Sequence, residues 1–389
     1  MEKAKRRFGS GNGMKAGKER EPVPFTRTPL ACCLAALLGG APMAGYAAPQ
    51  GGQVTGGEGS IAYGSTTTIT QNTASLAVDW QSFNVAADES VNFVQPSSTS
   101  IALNRILDQN PSEIFGAIEA NGTVFLSNPN GLIFGETATI NAGSFVASGF
   151  DISTDDFMAG NYTFGAAGTD GGVVINRGLI AAATSGSVTL VGGSVQNEGV
   201  IIANYGTVNM GAGQTAVLDF DGDGLIRFEV DGEVLSNALG MTSAVDNQGT
   251  ISAKGGEVLL TAAAAQDVFS RVVNNDGLIE AGRIDNSGGV VRLVGIGQGE
   301  VINSGTIDAS GQTADSTGGT VYLLGEKVGL FDSATVNASG PAGGGTVLIG
   351  GDREGANPEI RNATATYVGG DTTVNADALT NGSGGKVIV

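Results

Sequence analysis

Three aspartates at alternate positions, Asp219, Asp221 and Asp223, are followed by Gly224. Carboxylates at this spacing can open a calcium loop, which also needs a bidentate glutamate at its twelfth position. That position is Val230, so the segment reads as a plain hairpin turn and no metal is expected. Little other chemistry is open to the chain. It has no histidine, which removes His-based triads, His-ligated zinc and haem held by imidazole. Its two cysteines, Cys32 and Cys33, lie near the N-terminus, so residues 48–389 have none for disulfide or thiolate chemistry. The alternative reading is a β-helix polysaccharide lyase or hydrolase, which needs acids clustered on one face. Here Asp and Glu are scattered. Neither an enzyme nor a cofactor is expected, and outward acids such as Glu280 and Asp308 read as a solvated face.

The polar residues that do recur are Asn and Gly. Glycine accounts for 64 of 389 residues, more than twice the usual ~7%. Five stretches repeat a pattern: NRGLIAA from Asn176, NEGVIIA from Asn197, NQGTISA from Asn247, NDGLIEA from Asn275 and NSGTIDA from Asn303. Their spacings are 21, 50, 28 and 28. Degenerate copies, SATVNA and TTVNA, begin at Ser333 and Thr372. Each copy is followed by a small turn and a second apolar alternation, such as GGEVLLTAA or GGTVYLLGE. In the copies at 247, 275 and 303 a third short strand closes the unit.

In GTIDA, Ile307 and Ala309 point to one side and Thr306 and Asp308 to the other, the period of a strand. Strands this short and one-sided cannot bury their apolar face alone; stacking unit on unit, about 4.8 Å apart, buries it. The expected fold is all-β, a parallel β-helix with three strands per coil. Gly and Asn sit at the corners, where positive φ is needed, and aligned asparagines are expected to hydrogen-bond into a ladder. The 50-residue gap holds VLDF and LIRFEV around Asp221–Gly224, read as a β-hairpin projecting from the helix. A similar excursion, DREGANPEIRNATATYVGG, begins at Asp352. Trp80, the only tryptophan, is expected in the core or as a cap over the first coil, shielding an open edge.

The first 47 residues differ from the rest. They carry eight Lys/Arg, including Lys3, Arg6, Arg7 and Arg27, then the apolar LACCLAALL and small residues up to Ala47. This is the layout of a secretory signal peptide cut after Ala47, with Met14 as an alternative start. The apolar run is too short to span a bilayer. Residues 48–389 then hold 11 basic and 35 acidic residues, a net charge of −24. Such a surface repels nucleic-acid phosphates and anionic headgroups; no nucleic-acid partner and no stable membrane insertion are expected.

LSNPNGLIFG, Leu126 to Gly135, places four turn residues between apolar strands. Asn128, Pro129, Asn130 and Gly131 suit a β-turn, with φ preset at Pro129 and free at Gly131. Upstream, Asn104, Arg105, Ile106 and Leu107 begin 24 residues before Asn128, about one coil. Both motifs are therefore expected at one corner of neighbouring coils.

The stretch from DWQSFNVAADESVNF to SNPNGLIFG closely resembles the N-terminal secretion domain of two-partner-secretion exoproteins, the filamentous haemagglutinin family. NRIL- and NPNG-type motifs stand in the family's order and spacing, and VLDFDGDGLIRFEVDG resembles its extra-helical hairpin. The resemblance implies a right-handed β-helix with an N-terminal cap. It divides the chain into a signal peptide (1–47), a secretion domain (48–300) and continuing β-helix repeats (301–389). The chain stops at GSGGKVIV, within a coil, so the front portion of a longer product or a truncated copy is expected. The resemblance further implies a secreted, adhesin-like surface protein of a Gram-negative cell. It would cross the periplasm unfolded and be recognised there by the POTRA domains of a cognate outer-membrane β-barrel transporter. Asn104–Leu107 and Asn128–Gly131 would serve transporter recognition or nucleation of folding, and host-cell or matrix receptors would be further partners.

Overall fold

The computed structural model describes residues 48–165, 171–221, 225–237, 239–286 and 288–389. The proposed signal peptide and the turn tip 222–224 lie outside these residues, as do the side chains of Asp219, Asp221 and Asp223.

From Ser75 onward the chain winds through three sheets in a fixed order. Ala117–Ala120 lies in one twelve-stranded sheet, Thr123–Ser127 in a second, and Leu132–Phe134 in a nine-stranded third; Thr139–Ala142 then returns to the first. Every neighbouring pair between coils is parallel, for example Thr139–Ala142 with Leu179–Ala182. This is the parallel β-helix that the alternation required. Inward positions align into apolar columns. Ile140, Ile180, Ile201, Ile251, Ile279, Ile307 and Val336 stack in register, all fully buried. Burying each such side chain stabilises the fold by about 1.5–3 kcal/mol, and no coil can do it without the next.

The N-terminal end is closed by antiparallel pairing. Gln53–Gly56 runs against Ser75–Trp80, and Gly59–Ala62 against Thr66–Gln71. Trp80 is fully buried beneath this cap, edge-on to Tyr63 and Phe83 with ring centroids 6.5 and 5.4 Å away.

The asparagine ladder is present. Asn176, Asn197, Asn247, Asn275 and Asn303 are fully buried at the ends of third-sheet strands. Each of the first four donates Nδ2 to the Oδ1 of the next, at 2.8, 2.8, 2.7 and 2.7 Å. The ladder stops at Asn303 because Leu330 and then Val368 occupy the corresponding place.

Two expectations need correction. The hairpin, Thr215–Asp221 with Leu225–Asp231, does not project freely. With Tyr162–Gly165 it forms a three-stranded antiparallel sheet. That sheet lies on the outer face of the second sheet, over Leu103, Phe125, Val146 and Val191. These outward side chains are apolar, and water-exposed apolar surface of that size is unfavourable, so the excursion folds down on it. The excursion after Asp352 is not a second hairpin. It holds a short 3-10 turn, Arg353–Gly355, and its ATYV, Ala365–Val368, is a regular strand of the third sheet.

Candidate functional site

Asn104 lies inside the strand Ile101–Ile106, between outward Leu103 and Arg105, and is fully buried. Its Oδ1 accepts the Trp80 indole N–H at 3.0 Å, from the coil below. Its Nδ2 donates to the Phe125 carbonyl at 3.2 Å, in the coil above. A buried polar group needs such partners, and an orphaned one costs about 1–3 kcal/mol. Asn104 therefore ties three successive coils to the capping tryptophan. Ile106 points into the same core.

Arg105 points outward onto the excursion after Gly149. Its Nε and Nη2 donate to the Asp151 carboxylate at 3.1 and 3.3 Å, and Nη1 donates to Thr154 Oγ1 at 3.1 Å. Asp79 Oδ1 lies 3.4 Å away. Burial pushes the Asp79 carboxyl above its ordinary value; Arg105 pulls it down and the Asp151 charge pushes it up again.

Asn128 is fully buried and holds the turn from within. Its Oδ1 accepts the Asn130 N–H at 2.9 Å, and its carbonyl accepts the Gly131 N–H at 2.9 Å. Its Nδ2 donates to Asn110 O and Ser112 Oγ at 3.1 and 3.0 Å. Gly131 has φ +111°, and a Cβ there would sit 2.8 Å from Val173 O in the next coil, so only glycine fits. Asn130 is exposed and donates Nδ2 to Asp108 O at 2.7 Å.

The two motifs do not share a corner as expected. Asn104 is in register with Leu126 and Arg105 with Ser127, a coil of 22 residues rather than 24. NRIL is therefore mostly strand, and NPNG is the turn after the neighbouring strand. They meet indirectly: the 107–111 loop that follows NRIL is held by Asn128 and Asn130 through Asn110 O and Asp108 O. What reaches solvent is Leu107, 57% exposed, with Asn130, beside a half-buried Pro129.

Sequence reasoning missed Phe125, Asp151 and Thr154. Phe125 was detectable: Thr123–Ser127 is buried on both faces, and TVFL has no polar alternation. Asp151 and Thr154 carry no such signal, since they meet Arg105 across 46 and 49 residues. Glu280 and some other outward acids pair with bases on a neighbouring coil, as in Lys254–Glu280 at 3.2 Å and Lys327–Glu300 at 2.7 Å, each worth about 0–1 kcal/mol. Among the described residues no group of three or more His, Cys, Asp or Glu could hold a metal ion, and no helix is long and apolar enough to cross a membrane. Val230, at the would-be ligand position, is buried opposite Ala216.

The sequence pattern of the TPS secretion domain matches residues 46–309. The chain belongs to the TPS secretion domain family. This TPS domain is similar to two curated proteins, both named heme/hemopexin-binding protein and both from Haemophilus influenzae. One is 34% identical over 257 residues, covering 63% of this chain and 27% of that protein. The other is 30% identical over 247 residues, covering 58% and 26%. The chain thus spans about a quarter of the length of the curated relatives it matches. In three dimensions it is similar to the HMW1 secretion domain from Haemophilus influenzae. The TM-score is 0.73 at 30% identity, covering 85% of this chain and 84% of that one. This likeness agrees with the family match over residues 46–309. TPS exoproteins are secreted through the periplasm to the cell surface, and the matched domain is their secretion domain.

Proposed function

We propose that the TPS domain described here leads a secreted, adhesin- or haemagglutinin-like surface exoprotein across the outer membrane through a cognate β-barrel transporter, and that the corner of Leu107, Pro129 and Asn130 is what the transporter's POTRA domains read. Residues 1–47 would direct the unfolded chain to the periplasm. One observation carries the reading of the corner: both of its turns are held by bonds within a few residues. Asn130 N and Gly131 N bond to Asn128, and the N–H groups of Gln109 and Asn110 bond to Asp108 Oδ1. Such turns can form before any coil closes, so a chain still unfolded elsewhere can present them. Asn104 and Asn128, turned inward, would then close the first coils outside the cell. A host heme- or hemopexin-type ligand is the receptor class that the relatives' names favour for the exoprotein; host-cell or matrix receptors are the other class.

The test is secretion and POTRA binding of Leu107→Ala and Asn130→Ala in the full chain. Both changes are expected to move the stability of the folded domain by only about 0.5 kcal/mol while lowering POTRA binding and export. Normal binding and normal export by both variants would remove the corner from the mechanism.

A further inference from the structure

The outer face of the second sheet carries an apolar strip over successive coils: Ala77, Leu103, Phe125, Val146 and Val191. The strip is covered by Phe150, Ile152, Phe157 and Phe164 from the 149–165 excursion and by Ala216 and Leu218 from the hairpin. Phe125 lies 5.9 Å from the Phe157 ring and 5.5 Å from the Tyr162 ring. The cover reaches the N-terminal cap as well, with Thr154 Oγ1 3.4 Å from Thr55 Oγ1. It has little structure of its own, a five-residue helix Thr154–Met158 and the strand Tyr162–Gly165. A helix of that length does not persist without tertiary contacts. Something must fix its position.

Among the described residues, Arg105 is the basic residue within ion-pair distance of this excursion, which itself carries Asp151, Asp155 and Asp156. It holds Asp151 with two donors and Thr154 with a third. Its side chain is 18% exposed, too enclosed to offer its guanidinium to a partner protein. The same strand presents Leu103 to the cover from two residues away.

We propose that Arg105 is a positioning residue: it latches the 149–165 excursion over the apolar strip of the first coils, and takes no part in transporter contact. The motif then does two jobs in sequence. Leu107 is read in the periplasm, and Arg105 closes the cover once Asp151 has emerged, hiding an apolar strip that would otherwise associate with other chains. The contrast with Leu107 rests on the transporter reading above; the latch itself does not.

Hydrogen exchange on the folded chain separates the two. The amides of Asp151 and Gly165 bond to each other's carbonyls, and Phe157 N bonds to Ser153 O. In Arg105→Ala these amides are expected to exchange about tenfold faster or more, since charge-assisted bidentate bonds are lost, while protection of the Asn247–Asn303 coils stays at the wild-type level. Asp151→Ala is expected to reproduce the effect, with no further acceleration in the double variant. Arg105→Lys, which keeps the charge but not the fork, is expected to fall between. POTRA binding by Arg105→Ala is expected to equal wild type. Unchanged exchange at the three amides or acceleration spread evenly over all coils would overturn the latch, and loss of POTRA binding would overturn its separation from transporter contact. If Arg105→Ala does not fold, Arg105→Lys and Asp151→Asn decide it: local acceleration supports the latch, wild-type exchange rejects it. A failure of Leu107→Ala to affect POTRA binding would leave these exchange results standing and count only against the corner.

Discussion

Replacing Asn104 with Ala leaves the buried Trp80 indole N–H without its acceptor and takes one donor from the Phe125 carbonyl. The expected loss of stability is about 1–3 kcal/mol, read by urea unfolding followed through Trp80 fluorescence. A loss below about 0.5 kcal/mol would mean the bonds to Asn104 do not hold the first coils. Asp246 supplies a pH test. It is buried, accepts bonds from Gln248 Nε2 and Asn274 Nδ2 at 2.8 Å each, and burial raises its carboxyl above the ordinary value despite those bonds. A raised acid binds its proton more tightly folded than unfolded. Its contribution is therefore largest at or below the ordinary carboxylate value and is lost as pH climbs through the raised one. Wild type should gain stability relative to Asp246→Asn as the pH falls from neutral toward the ordinary carboxylate value of about 4, with denaturation midpoints as the readout; an opposite or absent trend would contradict the burial. At this scale the sequence was only half legible. Asn128 in NPNG announces a turn, because turn chemistry is local. Asn104 gives no hint that it faces Trp80, because its partners lie 24 residues back and 21 residues on.

The ladder strands were the most legible elements. Their N-x-G-x-I pattern fixes the corner, the inward isoleucine and the close glycine together, and only the direction of the amide bonds awaited the structure. Position in the ladder should govern cost. Asn275→Leu leaves both Asn247 Nδ2 and Asn303 Oδ1 without their partners, whereas Asn303→Leu leaves only Asn275 Nδ2. Asn275→Leu is expected to be the worse by about 1–3 kcal/mol, measured by chemical denaturation. Equal costs would show that the amide bonds do not couple the coils. The excursions were less legible. The hairpin was detectable from its turn residues, yet its resting place was not, because that depends on Phe125 and Leu103 pointing out of strands some 90 residues or more away. The 149–165 excursion was missed for the same reason: Phe150, Phe157 and Phe164 have no helical or strand period that names their target.

For the molecule as a whole, repetition made the architecture readable. A column such as Ile140 to Val336 needs each coil to sit on the last, and the same interval that reveals the repeat in the sequence sets the stacking. The strongly acidic outer surface is consistent with a domain that ends outside the cell without clinging to anionic lipid. Stacking also suits export, since coils can close one after another as chain emerges, beginning with the Trp80 cap. The most direct measurement is the distribution of this protein between periplasm and medium in cells that carry or lack the outer-membrane transporter. Folded, protease-resistant domain is expected in the medium only when the transporter is present, and degraded or retained chain without it. Equal release in its absence, or folded domain accumulating in the periplasm while the transporter works, would contradict transporter-dependent export.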